Sequence, residues 1–393
     1  MIYRRRIAIV AIALLVVVAL CAPLLLVLTP GGWTIAKLIM LIGFLSAAPW
    51  VGFCCANGIV GFAVLTFGSD PDTAPSLDMP PSIDMPMPTI AIALTVRNED
   101  MAQVLPNIRN LLHDLDSHGA GDAFTLFVLS DTANSGAIAA EKDAVAAFRA
   151  ADRKPSRIQY RRRAENRGFK AGNVMEFLDR HADEYELMLV LDADSRMTAR
   201  AVLRLVEAMQ RTPSLGIVQH LTAALPASAP FPRLFQFGMR AGMRTWATAL
   251  AWWQGDESCY WGHNAVIRCR PFRDCCRLPL LPDHRHILSH DQVEAAMMAG
   301  AGWGVRLLPN EDGSFETNPP ALPEHLQREI RWMEGNFEYR HLLSMPGLRP
   351  MGRWQLLQAI LLFATTPFHF VFLFGAALAA ATGAVSADRK SVV

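Results

Sequence analysis

A surplus of charge of either sign is missing from this sequence. Its 37 lysines and arginines against 36 aspartates and glutamates leave a net +1, so no global field selects nucleic acid or anionic lipid. Charge of any kind is also sparse, at 19% of residues against a usual value of about 25%. No CxxC spacing occurs among the seven cysteines, and Cys54 and Cys55 are chain neighbours. An odd count without that spacing excludes a disulfide framework and points to reduced thiols facing the cytosol. No small-residue cleavage site precedes the second apolar segment. The first run is also longer than the usual signal-peptide core of about 7–15 residues, so a helix that stays in the membrane is expected.

What stands in place of charge is apolar surface, since 52% of residues are hydrophobic. The excess sits in two blocks, residues 7–67 and 354–383, with an ordinary soluble composition between them. Arg4, Arg5 and Arg6 precede an uncharged run from Ile7 to Leu28, long enough to cross a hydrocarbon core of about 30 Å as a helix. Thr29, Pro30, Gly31 and Gly32 read as a turn. The next stretch, from Trp33 to Phe67, is interrupted only by Lys37. It exceeds one span and must tilt or break near Pro49. The arginine cluster puts the N-terminus in the cytoplasm, and two crossings return the chain there. The expected organisation is two transmembrane helices over 1–68, a proline-rich acidic linker over 69–88, a cytosolic domain over 89–345, and one outward crossing over 354–383. A lipid bilayer is therefore a predicted partner, and nucleic acid is not.

Between the blocks, short apolar runs alternate with helical patterns. Strands are expected at 89–95, 125–129, 157–160, 187–191 and 217–220, with helices near 99–116, 136–150, 171–182 and 199–210. Near-continuous apolar strands separated by helices predict an α/β domain with a mostly parallel sheet. Ligands bind such sheets beyond the C-terminal strand ends.

Polar groups gather at those ends. The first strand runs into Asn98 and Glu99, the second into Asp131, and the fourth into Asp192, Ala193 and Asp194. Three acidic ends on one edge are costly unless cations neutralise them. A divalent metal with a diphosphate fits, since Mg2+ or Mn2+ takes one or two carboxylates plus phosphate oxygens. The plainer role for Asp194 is to cap the helix near Thr198. Between the third strand and its helix lies the loop from Arg167 to Asn173, where glycines permit close approach and Lys170 offers a point charge to phosphate. Asp291 precedes a helical run, as a cap or as a general base toward an acceptor hydroxyl. Arg328, Arg331 and Trp332 lie on a polar helix before the last apolar block. That helix either lies on the membrane surface or sets Arg331 against a leaving diphosphate and Trp332 against sugar.

The order Asn98-Glu99, Asp131, Lys170 to Asn173, Asp192-Ala193-Asp194, Asp291 and Arg331-Trp332 resembles the processive family 2 glycosyltransferases. Thr95 stands where proline is usual, Ser289-His290-Asp291 where Thr-Glu-Asp is usual, and Arg328 where glutamine is usual. The last two departures, with the Tyr260 to Ala265 and Ala301 to Val305 segments, resemble the glucan biosynthesis glucosyltransferase H family over about 90–383. The resemblance implies a GT-A-type domain and an inverting glucosyl transfer from UDP-glucose to a β-glucan acceptor, the backbone of a periplasmic glucan, at the bacterial inner membrane. By the same resemblance Glu99 and Asp131 contact uridine, Asp192 and Asp194 hold the diphosphate and the metal, and Asp291 is the base. Arg328, Arg331 and Trp332 then line the acceptor and diphosphate region. The alternatives are a cellulose- or hyaluronan-like synthase and an inactive membrane scaffold. Residues 388–393 match the translation of a widely used sequencing adapter, so a non-native tail is expected there, with further membrane helices in the natural chain.

Overall fold

The computed structural model describes residues 1–68, 85–310 and 312–384. The tail expected at 388–393 and most of the linker, residues 69–84, lie outside the described residues.

Two long apolar helices open the chain, α1 (Ile2–Leu28) and α2 (Ile35–Phe67). Thr34 caps α2, its side chain accepting from the Lys37 backbone N–H at 3.4 Å. The charge of Lys37 does not break the span, because its ammonium reaches back to the Pro30 and Gly32 carbonyls at 2.5 and 2.9 Å. The side chain is fully buried there, and turn carbonyls replace the water it would otherwise need.

The domain that follows begins β1 (Ile90–Val96), α3 (Met101–Ser117), β2 (Phe124–Ser130), α4 (Ser135–Ala150), β3 (Ile158–Arg162), α5 (Phe169–His181) and β4 (Leu187–Asp192). It continues β5 (Arg196–Met197), α6 (Ala199–Arg211), β6 (Leu215–His220), β7 (Ala223–Ala224), α7 (Pro230–Gln254), β8 (Ala265–Arg268) and α8 (Cys269–Cys275). Then come α9 (Asp291–Gly300), β9 (Gly304–Leu308), β10 (Ser314–Glu316), α10 (Leu322–Glu338), α11 (Pro350–Ala364) and α12 (Thr366–Ala381). Among the described residues the main sheet has the order β3-β2-β1-β4-β8-β6-β9, and a small sheet has the order β5-β10-β7.

The five expected strands and four expected helices are present, with ends displaced by one or two residues. Strands β1, β2 and β4 are buried on both faces, between two separate apolar clusters, which is why they read as continuous hydrophobic runs. Strand β8 was not anticipated. It pairs antiparallel with both β4 and β6, so the sheet is mixed and only mostly parallel. Four residues are too few to give a periodic signal.

The last apolar block divides at Thr365, just before Pro367, into α11 and α12. Proline at that point cannot donate to the helical ladder. The first half packs on the domain, with Leu356 and Ala359 buried beside Val293 and Ala296 of α9. The second half lies along α2, where Gly375 and Gly43 permit close backbone approach. Among the described residues three helical segments are long and apolar enough to cross a membrane: Ile2–Leu28, Ile35–Phe67 and Pro350–Ala381.

Candidate active site

Parallel register brings the polar ends of four strands to one edge. Thr95 of β1 lies opposite Asp192 of β4, Val96 opposite Ser130 of β2, and Ser130 opposite Arg162 of β3. The chain leaves β1 through Asn98, whose φ of +58° is unusual for a residue with a side chain. The Asn98 backbone N–H donates to Thr132 Oγ1 at 2.8 Å, and that hydroxyl donates to the buried Glu141 at 2.6 Å. Tyr160 OH holds the other Glu141 oxygen at 2.8 Å. The local backbone strain at Asn98 is thus supported from three elements.

Asp131, at the end of β2, is nearly buried and receives Arg163 through two bonds of 2.7 Å. This is a bidentate pair. Arg163 also donates to the Arg167 and Phe169 carbonyls at 3.0 and 2.9 Å. One arginine therefore ties the second strand end to the glycine loop. Sequence reasoning passed over Arg163, though the run Arg161-Arg162-Arg163 at a strand end was a visible signal.

Asp192 is the hub. Lys170 pairs with its Oδ1, Thr95 Oγ1 donates to the same oxygen at 3.2 Å, and Ser195 Oγ accepts from its backbone N–H at 3.0 Å. Burial raises the carboxyl's pKa, but Lys170, and His263 beyond it, outweigh burial and hold it down at about 2. Lys170 also donates to the Gly262 carbonyl at 2.7 Å. Gly262 sits at φ +89°, and a Cβ there would lie 3.5 Å from Cβ of Asp291. The Trp261–His263 turn thus lies between the Asp192 end of the edge and Asp291.

Asp194 Oδ2 accepts from Thr317 Oγ1 at 2.9 Å. It does not cap α6. Thr198 does, accepting from the Ala201 N–H at 3.2 Å. Burial raises the pKa of Glu99, and the charges of Asp194 and then Asp192 raise it further. Burial likewise raises Glu316, against the pull of His263 and with the repulsion of Asp194. His263 Nε2 stands 3.4 Å from the Glu316 carboxylate. Four carboxylates therefore feel one another at this edge. His263 lies in the Tyr260 to Ala265 segment that carried the resemblance but was given no role there, and Glu316 was not singled out. The pairing of β10 with β5 carries Glu316 to the turn that holds Asp194.

Asp291 is the first residue of α9, and the N-cap position belongs to His290, whose side chain makes no capping bond. His290 Nδ1 instead meets Glu294 at 2.8 Å. Burial lowers the His290 pKa, but Glu294 and Asp291 reverse the sign and leave it raised. Helix α10 crosses this segment at Gly335, where any Cβ would run into Ser289. On α10, the Arg328 guanidinium stacks 4.4 Å from the Trp332 ring centroid and 5.6 Å from that of Phe235. Such cation–π stacking orients the fork. Arg331 and Trp332 are exposed. The structure thus joins Glu99, Asp192, Asp194 and Lys170 with Asp291 through the Gly262 turn. It leaves Asp131 at the Arg163 side and sets Arg331 on the open face of α10.

The edge offers hard oxygen donors of the kind Mg2+ and Mn2+ take, and burial first, then the charges of Asp194 and Asp192, raise both Glu99 and Glu316 there. Among the described residues no three His, Cys, Asp or Glu side chains are arranged to hold a metal by themselves.

The mixed, mostly parallel sheet with acidic strand ends, flanked by apolar helices, is the fold of a family 2-type glycosyltransferase. The chain belongs to glycosyl transferase family group 2, whose model matches residues 187–387, and the glycosyl transferase family 2 model matches residues 92–276. It is 39% identical over 340 residues to "Glucans biosynthesis glucosyltransferase H" of Caulobacter vibrioides, covering 84% of this chain and 49% of that protein. The Rhodopseudomonas palustris protein of the same name is 37% identical over 352 residues, covering 88% and 49%. The chain thus spans about half the length of these relatives. A mannosyltransferase from Pyrobaculum calidifontis, solved with GDP-Man and Mn2+, shares the fold at TM-score 0.60 and 17% identity, over 89% of this chain and 88% of that one.

Proposed function

We propose that this chain transfers glucose from UDP-glucose, with inversion at the anomeric carbon, to a growing β-glucan of the periplasmic type. The observation that carries the reading is the Lys170–Asp192–Gly262–Asp291 linkage at the C-terminal edge of the sheet. It sets an anchored lysine–aspartate pair beside the Asp291 carboxylate, the arrangement a displacement needs for leaving group and base. The curated relatives' name supports glucose as the sugar and a glucan as the acceptor.

In this reading Asn98, Glu99 and Asp131 hold the uridine. Asp131 keeps lone pairs for it, because each carboxylate oxygen accepts more than one bond. Lys170 and Asp192 orient the diphosphate, and Asp192 and Asp194 hold Mg2+ or Mn2+. The metal, when bound, supplies Lewis-acid stabilisation of the diphosphate charge. Asp291 takes the proton of the acceptor hydroxyl as its oxygen bonds to the anomeric carbon and the bond to UDP breaks. Arg331 and Arg328 offset charge on the departing UDP, and Trp332 stacks on the acceptor sugar. The 69–345 segment faces the cytosol, where UDP-glucose is, at the bacterial inner membrane. A cellulose- or hyaluronan-like synthase would use the same acids and differ in product. An inactive scaffold is disfavoured by the gathering of Glu99, Asp192, Asp194 and Glu316 at one edge, where burial raises two of them.

The test is to incubate membranes holding the chain with labelled UDP-glucose and analyse the linkage of the product. A β-linked glucan released with UDP is expected. Incorporation from UDP-N-acetylglucosamine or UDP-glucuronate instead, or an absence of any transfer, overturns the reading.

A further inference from the structure

One arginine of α10 has aromatic neighbours and no hydrogen bond. Among the described residues nothing accepts from the Arg328 guanidinium, and its Nε is fully desolvated. The Glu329 carboxylate stands 3.8 Å from Nη2, beyond hydrogen-bond distance. The arginine side chain is nevertheless only 17% exposed. A guanidinium so largely withdrawn from water, with a buried N–H that finds no acceptor, is costly to hold in place.

Packing holds it. Trp332 lies one turn along the same helix, its centroid 4.4 Å from the guanidinium carbon, a contact local to α10. Phe235 comes from a different element, α7, with its centroid at 5.6 Å. The Phe235 ring is also 4.8 Å from that of His325, so it contacts two side chains one turn apart on α10. The same turn of α7 is tied to the acidic edge. Gln236 Nε2 donates to the Leu225 carbonyl, and the Leu225 N–H donates to the Glu316 carbonyl at 2.8 Å. Burial raises the Glu316 pKa, and His263 and then Arg328 are the charges that pull it back. Arg328 is therefore within electrostatic reach of that edge. Contact with an aromatic face orients a guanidinium without consuming its N–H donors. The fork is fixed in direction and keeps its donors open.

We propose that Phe235 is a positioning residue for transfer: its ring aims the unpaired Arg328 fork at the diphosphate of the nucleotide. A planar bidentate donor matches the spacing of phosphate oxygens. As the bond between the anomeric carbon and the β-phosphate oxygen breaks, the electron pair stays on that oxygen. The fork then meets charge where it develops. This rests on the donor reading proposed above, in which Arg328 serves the departing UDP.

The test measures UDP and uridine binding to the full chain in nanodiscs by calorimetry at saturating Mg2+, with kcat, KM and Tm in parallel. Phe235→Leu should weaken UDP binding about fivefold and lower kcat. Uridine has no phosphate for the fork, so its affinity should stay unchanged. Phe235→Tyr keeps the ring and should restore UDP affinity. Arg328→Lys keeps the charge without the fork and should weaken UDP in the same sense. On that background Phe235→Leu should cost nothing further, because its effect runs through the guanidinium. Phe235→Met, closer in volume, is measured beside Phe235→Leu and should show the same loss of UDP at a Tm nearer the wild type. Unchanged UDP affinity in both, an equal loss of uridine, or independent losses from Phe235→Leu and Arg328→Lys overturns the proposal. A wild-type chain that binds neither UDP nor uridine overturns the donor reading itself, and the proposal with it.

Discussion

Lys170 and Asp192 form an ion pair across 22 residues of chain, and the same ammonium donates to the Gly262 carbonyl at 2.7 Å. The pair closes the glycine loop onto the end of β4. The ammonium helps hold the Asp192 carboxyl down at about 2, whereas burial, with the charges of Asp194 and Asp192, pushes the neighbouring Glu99 and Glu316 up.

Lys170→Met should expose that balance as a pH effect. Asp192 has its pKa lowered from 3.8 to about 2 in the folded protein. A lowered folded pKa stabilises the protein above the unfolded pKa, and that contribution disappears as pH falls through the folded one. In the variant, burial acts on Asp192 without the ammonium. The variant should be the less stable protein at pH 7. The gap should begin to close above about pH 4, where the buried carboxyl of the variant takes up its proton, and finish closing near pH 2. Acid unfolding followed by tryptophan fluorescence checks this. A gap of constant size down to pH 2 would show that the pair contributes no linkage.

Asp194→Asn should abolish transfer at saturating magnesium while leaving Tm within about 1 °C, since the cap of α6 is Thr198. Thr198→Ala is the contrast, expected to cost about 1 kcal/mol of stability and to leave the magnesium dependence of turnover unchanged. If Asp194→Asn turns over normally, the metal role fails.

For Asp291 the two roles separate cleanly. Its side chain is not the N-cap of α9, so Asp291→Asn should leave Tm nearly unchanged. Turnover should fall by about 10² to 10⁴, the usual cost of losing a general base. A variant that mainly melts earlier would return Asp291 to a structural role.

Topology can be read with single cysteines after the native ones are replaced. Thr29→Cys lies in the turn between α1 and α2, and Lys142→Cys lies on the exposed face of α4. In whole cells an impermeant thiol reagent should modify Thr29→Cys and spare Lys142→Cys. The converse pattern would put the sheet edge outside, away from UDP-glucose.

Much of this architecture is legible in the sequence. The continuous runs that became β1, β2 and β4 announced buried strands, because a strand covered on both faces must be apolar at every position. Asp131 and Asp192 stood out because they end such runs, and Lys37 was the one visible interruption of the second span. Those are local signals, written in neighbours along the chain. What only the tertiary structure decided is which distant groups share the edge. The four-residue β8 inserts antiparallel between β4 and β6. The pairing of β10 with β5 brings Glu316 and Thr317 to Asp194 from more than a hundred residues away. Thr95 looked like a departure from a motif until register set it opposite Asp192. Side-chain period follows from the local backbone, but strand order is settled by the burial of whole faces, and proximity across strands follows from that order alone.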